Sequence, residues 1–286
     1  MSRSPDPDRC SIPPTRGCAP DAPAPSRAMD ILVYVKRVPA VGGRIVLVSD
    51  GRRVDTSALG FTISPHEECA VEEAVQITER HGGTVTVSTM GPPEAVEQLR
   101  AAIAVGAGAA HLLETTADDV GPVATSRALA ESARALEEKR GRPFDLVLCG
   151  NEAADTGDHQ VGVRLAYALG RPCATGIKQL QVSPGAESIE AVREYRGAQE
   201  RFTLRLPAVV TVREGINLPR YPSLPGRMRA KKVQVTSTTP ELESEPLVMK
   251  RLRVPDLDRR SAEILGHGAD AVPALVALLA DLGVVT

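Results

Sequence analysis

The sequence predicts an α/β fold: a Rossmann-like parallel sheet with helices on both faces, followed by an antiparallel extension. Three observations predict it. Short strand-like segments at residues 31–35, 84–88, 110–114 and 145–149 alternate with stretches of helical spacing. Strands alternating with helices imply a parallel sheet with right-handed crossovers. The boundaries between them carry specific start and stop residues. Finally, residues 150–162 form a loop of small and polar residues between an apolar strand and a helix, the arrangement that receives anionic groups in such folds.

The elements follow in order. Residues 31–35 form a continuous apolar strand. Residues 45–48 and 53–55 flank Asp50-Gly51, a hairpin signal. Ser64-Pro65-His66-Glu67 reads as a helix start, with Ser64 as cap, Pro65 in the first turn and Glu67 completing a capping box. That helix runs to about Arg80, buries Ala70, Val71, Ala74 and Ile77, and stops at His81-Gly82-Gly83. Strand 84–88, helix 93–105, strand 110–114, helix 122–139 and strand 145–149 come next. By the switch-point rule, the carboxyl ends near Val35, Ser88 and Cys149 face one crevice, and the helix start at residues 64–67 reaches it. Beyond Gly176, residues 189–195, 201–206 and 208–212 read as extended segments added antiparallel to the sheet.

The stretch that carries chemistry is Gly150-Asn151-Glu152-Ala153-Ala154-Asp155-Thr156-Gly157-Asp158-His159-Gln160-Val161-Gly162. Small side chains leave room for a ligand, and the helix beginning at Val161 offers unpaired N–H groups and a positive dipole end. Read without its neighbours, the segment could equally be a plain strand-to-helix connector. In the ligand reading, backbone N–H groups from Gly157 to Gln160 meet a phosphate, while Gln160 and Val161 line the site. Asp155 and Asp158 repel phosphate, so they cap the helix start or bond a ribose hydroxyl. His66 and His159 lie on the two crevice loops. No third ligand has metal spacing, so hydrogen bonding to a nucleotide or surface exposure is expected of them, and no metal.

Composition narrows the classes. With 34 basic and 36 acidic residues the charge is nearly balanced, which argues against a nucleic-acid binder. Five cysteines without a Cys-x-x-Cys pair suit a reducing compartment, and a cytoplasmic location is expected. No apolar run approaches the roughly 20 residues of a transmembrane helix. Aromatics are scarce, with three Phe, four Tyr and no Trp, so a ligand that stacks on aromatic rings would draw those surfaces largely from elsewhere.

Three regions are distinguished: residues 1–28, 29–235 and 236–286. The first holds seven prolines and little hydrophobicity, and reads as disordered or as a start assigned too early, with Met29 the true start. The second is the nucleotide-binding α/β domain. The third is a linker ending in an apolar helix around residues 271–282, which folds back or docks on a partner subunit as a C-terminal arm. Residues 220–232 carry five basic residues and no acidic one. They read either as a solvated strand or as a docking loop. In the docking reading Arg227, Arg229, Lys231 and Lys232 steer an acidic partner, and Leu224, between Pro222 and Pro225, is the apolar anchor.

Several motifs, in order, resemble the electron transfer flavoprotein beta subunit family, which includes the FixA-type proteins. They are Val35-Lys36-Arg37-Val38-Pro39, Ser64-Pro65 with Glu68-Cys69-Ala70-Val71-Glu72-Glu73-Ala74, and Leu99-Arg100-Ala101-Ala102-Ile103-Ala104-Val105-Gly106-Ala107. The loop at 150–162, Leu206-Pro207-Ala208-Val209-Val210-Thr211-Val212 and Asn217-x-Pro219-Arg220-Tyr221-Pro222-Ser223-Leu224-Pro225 complete the set. The resemblance spans residues 29–235. It implies a heterodimer with an alpha subunit that holds the redox-active FAD. It implies that this chain holds AMP, or in bifurcating members a second FAD. The residues implied at that site are Tyr34, Ser64, Pro65, His66, Glu67, Met90, Gly150, Asn151, Asp155, Thr156, Gly157, Asp158, His159, Gln160 and Val161. Electrons would arrive from flavin dehydrogenases and leave to a quinone oxidoreductase or another acceptor, with the leucine of the docking loop inserting into the dehydrogenase. Ser64, His66, Ala40 and residues 156–159 depart from the family pattern, which keeps both nucleotides open.

Two other functions share these features. A stand-alone nucleotide-binding regulator would use the same loop without needing the basic Leu224 segment. A nucleotidyl transferase would need a His/Lys constellation and an activated nucleophile, and the sequence offers neither. The expectation is therefore a carrier subunit and not an enzyme.

Overall fold

The computed structural model describes residues 27–40, 42, 45–117, 120–244, 246–254 and 262–285. Most of the extension at residues 1–28 lies outside them. The chain divides into two compact units, one of residues 1–44 and 56–249 and one of residues 45–55 and 250–286.

The first unit is built on a seven-stranded sheet. Its strands are β1 (Met29–Tyr34), β4 (Gly83–Gly91), β5 (Ala109–Glu114), β6 (Leu146–Gly150), β7 (Cys173–Ile177), β11 (Ala208–Val212) and β12 (Val235–Thr238). Their order is β12-β5-β4-β1-β6-β11-β7, and every neighbouring pair is parallel. β1 is buried along its whole length because both faces are covered. Met29, Ile31 and Val33 join one hydrophobic cluster with α1 (Pro65–His81) and α2 (Val96–Val105). Leu32 and Tyr34 join the other, with α3 (Pro122–Arg140) and α4 (Val161–Leu169). The period-two alternation of one strand thus feeds two cores. The chain runs outward from β1 to β4 and β5, then returns to β6 on the other side of β1. This reversal makes the crevice at the carboxyl ends of β1 and β6. A small antiparallel pair, β2 (Arg37–Pro39) and β3 (Phe61–Ile63), leads from β1 to the start of α1.

The extended segments after Gly176 divide differently from expectation. β8 (Gln179–Val182), β9 (Ser188–Tyr195) and β10 (Ala198–Arg205) form a separate three-stranded antiparallel sheet. Residues 208–212, expected to be antiparallel, are the parallel strand β11 between β6 and β7. The physical reason is its burial on both faces at all five positions, which suits a strand with helices above and below.

Residues 224–232, expected as a loop or strand, are helix α5 (Leu224–Lys232). Ser223 caps it by accepting the Gly226 N–H at 3.1 Å, and Pro225 occupies its first turn. α5 packs on α2 through Gly226, where an added Cβ would lie 2.1 Å from the Ala104 carbonyl oxygen. Arg100 reinforces the contact by donating to the Ala230 carbonyl at 2.6 Å.

In the second unit, the hairpin around Asp50-Gly51 is a single bridge between Leu47 and Val54, closed by Val48 N–H to Arg53 O at 3.0 Å. The C-terminal apolar helix is α6 (Val272–Asp281). Val272, Leu275, Val276 and Leu278 on it are exposed.

Candidate functional site

The two loops at the carboxyl ends of β1 and β6 meet as expected. Together Ser64, Pro65, His66, Glu152, Ala153, Ala154, Gly157 and Glu214 line a cleft of about 320 Å³. Such a volume lies at the lower end of the range for small-molecule pockets.

The α1 side of the cleft departs from the expected capping box. Ser64 is buried and stands at the N-cap, but its hydroxyl makes no cap bond. It turns instead toward the loop and donates to the Glu152 carbonyl at 3.5 Å. Glu67 keeps its half of the box, accepting the Ser64 amide, and also accepts the Lys36 N–H at 2.7 Å. Burial pushes the Glu67 carboxyl up to about 8, against the pull of the Lys36 amide and charge. Its carboxyl group is therefore a strut between β1 and α1 rather than a group facing the cleft. His66 lines the cleft with a half-buried ring, and burial lowers its pKa despite the attraction of Glu152. Its Nδ1 is buried without a hydrogen-bond partner among the described residues.

The β6 side begins at Gly150, where an added Cβ would stand 2.6 Å from Glu67 Cγ. Only glycine lets the loop pass so close to α1. Asn151 donates its backbone N–H to Val212 O at 2.9 Å, extending the β6–β11 ladder into the loop. Its Oδ1 accepts from Thr211 Oγ1 at 2.8 Å, and its Nδ2 lies 3.1 Å from His159 Nδ1. His159, at φ +54°, places Nε2 at 2.7 Å from Glu152 Oε2. His66 Nε2 is 3.9 Å from the other oxygen of Glu152. Glu152 thus sits between the two histidines. Asp155 neither caps α4 nor turns inward. It pairs with Lys36 Nζ at 2.8 Å, tying the loop to the exit of β1.

Gly157, at φ +60°, gives its amide to Ala153 O at 2.9 Å, so that amide is committed within the loop. Thr156 and Asp158 are exposed beside it. Gln160 stands at the N-cap of α4 and accepts from Arg164 at 2.9 and 3.0 Å through its side-chain oxygen. Val161 opens α4 and packs on the α3–α4 cluster. Like Glu67, Asp155 and Val161, the expected site residues Tyr34 and Met90 point away from the cleft. Tyr34 is buried, with its hydroxyl donated to the Leu129 carbonyl of α3 at 2.7 Å, and burial pushes its pKa up. Met90, near the end of β4, packs half-buried against the same cluster. Cys149, at the end of β6, is buried and its thiol is held protonated by desolvation, so it is a packing residue.

Sequence reasoning missed Glu152, Glu214, Lys36 and Thr211. Glu152 and Lys36 lie inside motifs already singled out. Thr211 had a readable signal: it is the one hydroxyl in an otherwise apolar strand, Ala208-Val209-Val210-Thr211-Val212.

A second set of contacts organises the docking segment. Asn217 Nδ2 donates to the Cys69 carbonyl and to Glu73, both at 3.0 Å. Arg220 forks onto Glu72 at 2.9 Å and Glu79 at 2.6 Å. Burial alone would raise Glu72, yet the Arg220 and Gln76 hydrogen bonds hold it below the usual carboxylate value. Arg220 is thus committed to α1. The α5 surface beyond it is basic, with Arg227, Lys231 and Lys232 exposed, while Arg229 gives one N–H to the Ile103 carbonyl at 2.7 Å. Leu224, the first residue of α5, is 75% exposed. Leu218 and Tyr221 are also exposed, at 89% and 95%.

Fold and site together define a doubly wound α/β protein whose two crevice loops converge on one cleft. A family model described as the electron transfer flavoprotein domain matches residues 52–242. The electron transfer flavoprotein subunit beta of Bacillus subtilis is 39% identical over 237 residues, covering 82% of this chain and 84% of its own. The corresponding subunit of Thermoanaerobacterium thermosaccharolyticum is 31% identical over 261 residues, 87% of this chain and 96% of its own. The mitochondrial subunit of Oryza sativa subsp. indica is 35% identical over 217 residues, 74% of this chain and 83% of its own. This chain belongs to the electron transfer flavoprotein beta subunit family. Among the described residues, no helix is long and apolar enough to cross a membrane, and no cluster of His, Cys, Asp or Glu has the geometry of a metal site.

Proposed function

We propose that the chain is the beta subunit of a heterodimeric electron transfer flavoprotein, that it holds AMP between residues 64–67 and 150–161, and that it docks partners through α5. The observation that carries the nucleotide reading is the cleft between the two loops, with the buried Nδ1 of His66 unpartnered at its wall. A buried polar atom of that kind is expected to meet a ligand or water. Three residues beyond the cleft's Gly157 the chain reaches the N-cap of α4, whose helix-end amides would meet a phosphate. A cleft of about 320 Å³ has room for a mononucleotide, and AMP is the nucleotide that the family resemblance implies for most members.

In this reading the alpha subunit holds the FAD, and that flavin supplies the redox chemistry. The beta chain contributes binding and positioning. Its nucleotide braces the loops, its C-terminal arm with exposed α6 lies on the alpha subunit, and Leu224 at the tip of α5 enters the partner. The basic surface of α5 steers acidic partners, namely flavin dehydrogenases and an acceptor oxidoreductase such as one that reduces quinone.

The test is the ligand content of the complex made with its alpha chain. After denaturation the released nucleotides are separated and counted per heterodimer. One FAD with one AMP supports the proposal. Two FAD and no AMP would replace the AMP by a second redox centre. No nucleotide beyond one FAD would remove the cleft as a nucleotide site, and a colourless monomeric product would remove the carrier function.

A further inference from the structure

The hydroxyl of Thr211 links three parts of the site. It accepts the Gly176 N–H at 3.0 Å, which ties β11 to β7. It donates to Asn151 Oδ1 at 2.8 Å, which ties β11 to the loop. Its methyl lies under the start of α4, where an added Cβ on Gly162 would stand 2.3 Å from Thr211 Cγ2. Thr211 is 3% exposed in a strand that is otherwise apolar, so its hydroxyl must find partners inside the protein.

The direction of the hydrogen bonds propagates outward. With Oδ1 turned to Thr211, the Asn151 amide nitrogen faces His159 Nδ1 at 3.1 Å. An amide nitrogen can only donate, so Nδ1 must accept. The imidazole proton is then on Nε2, which donates to Glu152 Oε2 at 2.7 Å. A single chain of donors therefore runs from the Gly176 amide through Thr211, Asn151 and His159 to the carboxylate at the cleft. Reversing the Asn151 amide would set two acceptors against each other at His159 and two donors at Thr211.

We infer that Thr211 is a positioning residue for the nucleotide loop: its hydroxyl fixes the Asn151 amide, and through it the tautomer and orientation of His159 and the place of Glu152 at the cleft. The inference rests on the nucleotide reading of the cleft for its effect on ligand, but the relay itself does not. A hydroxyl is required at this position, and serine supplies it while valine, of the same shape, does not.

The test uses the heterodimer and three variants: Thr211→Val, Thr211→Ser and Asn151→Ala. Two quantities are measured, the tautomer of His159 from nitrogen NMR of histidine-labelled protein and the affinity for AMP of nucleotide-stripped complex. The chain has five histidines, and His159→Gln assigns the signal. Wild type and Thr211→Ser are expected to show the Nε2–H tautomer and the same affinity. Thr211→Val and Asn151→Ala are expected to show mixed tautomers and affinity lower by about tenfold, the loss of one buried hydrogen-bonded contact. Wild-type tautomer and affinity in both of these variants would overturn the inference, as would a Thr211→Ser complex that fails alongside Thr211→Val. If Thr211→Val does not fold, Asn151→Ala decides, because it cuts the same relay outside the core. Wild-type complex that binds no AMP would defeat the nucleotide reading alone, while the tautomer still decides the relay.

Discussion

Replacing Glu67 by Gln should change how stability depends on pH. Glu67 is buried and accepts the Lys36 amide at 2.7 Å, and burial pushes its carboxyl up to about 8 from an ordinary value of 4.5. A carboxyl raised in the folded state binds a proton that the unfolded chain releases. Its contribution is therefore fully present below about pH 4.5 and is lost as pH rises through about 8. Taken at full value, a displacement of that size is on the order of 5 kcal/mol over the window. Gln keeps a carbonyl for the Lys36 amide and has no proton to lose. Urea unfolding of the purified protein between pH 5 and pH 9, for wild type and E67Q, provides the assay. Wild type should lose stability across the window and level off above it, whereas E67Q should lack that slope and be the more stable protein by at least about 2 kcal/mol near pH 8.5. Glu72, held low by Arg220, acts in the other direction. Its contribution is present above its unfolded value and fades as pH falls through its folded one, so it does not contribute to the alkaline slope. Parallel pH profiles for the two proteins would refute the assignment of a protonated Glu67 beneath the loop.

Other consequences are more direct. Gly226→Ala puts a Cβ 2.1 Å from the Ala104 carbonyl oxygen, so α5 must lift from α2, at a cost of about 1–3 kcal/mol, seen as faster hydrogen exchange in residues 224–232. Arg220→Ala leaves the buried Glu72 carboxylate without its cation; because Arg220 is itself about one-third exposed, the expected loss is about 1–2 kcal/mol by chemical unfolding, and Lys at this position, lacking the fork, should recover only part of it. Leu224→Ala should shift stability by less than about 0.5 kcal/mol because the side chain is exposed, while slowing electron transfer from a dehydrogenase in a stopped-flow assay and leaving reduction by a small chemical reductant unchanged.

The parallel core was legible because its signals are local. Alternating or apolar strands, proline at the starts of α1 and α3 and glycine at the ends of α1, α2, α3 and α4 mark these boundaries without reference to the rest of the chain. β11 was misplaced because a short, wholly buried segment carries no mark of direction; only the neighbours β6 and β7 decide it. α5 was missed for a related reason. Leu224-Pro225-Gly226 opens a segment with little apolar periodicity, and the helix is held mainly by the Ser223 cap and its contact with Ala104. At the site, the loops were readable but the direction of each side chain was not. Ser64 has the composition of a cap, yet the Glu152 carbonyl takes its hydroxyl. Asp155 reads as a cap or ribose ligand, yet Lys36 lies nearer. Tyr34 sits at the right strand end, yet alternation turns its ring to the α3 face, where Leu129 takes its hydroxyl.

Two motifs separated by nearly 150 residues gain a common explanation from α1. Its N-terminal residues Ser64, Pro65 and His66 form one wall of the cleft. One to four turns on, Cys69, Glu72, Glu73 and Glu79 hold Asn217 and Arg220, and so fix where the chain enters Ser223 and the tip of α5. The paired acids of the first motif and the Asn-x-x-Arg of the second are therefore the two halves of one joint. An isolated basic segment carrying an exposed leucine would lose conformational entropy on docking, whereas one pinned to a rigid helix loses less. Under the proposed function, a nucleotide that is never reduced still has a mechanical reason to be present. Any ligand that binds the folded cleft stabilises the folded state by mass action. Under that proposal one wall of the stabilised cleft would be the start of α1, the helix to which the docking segment is pinned.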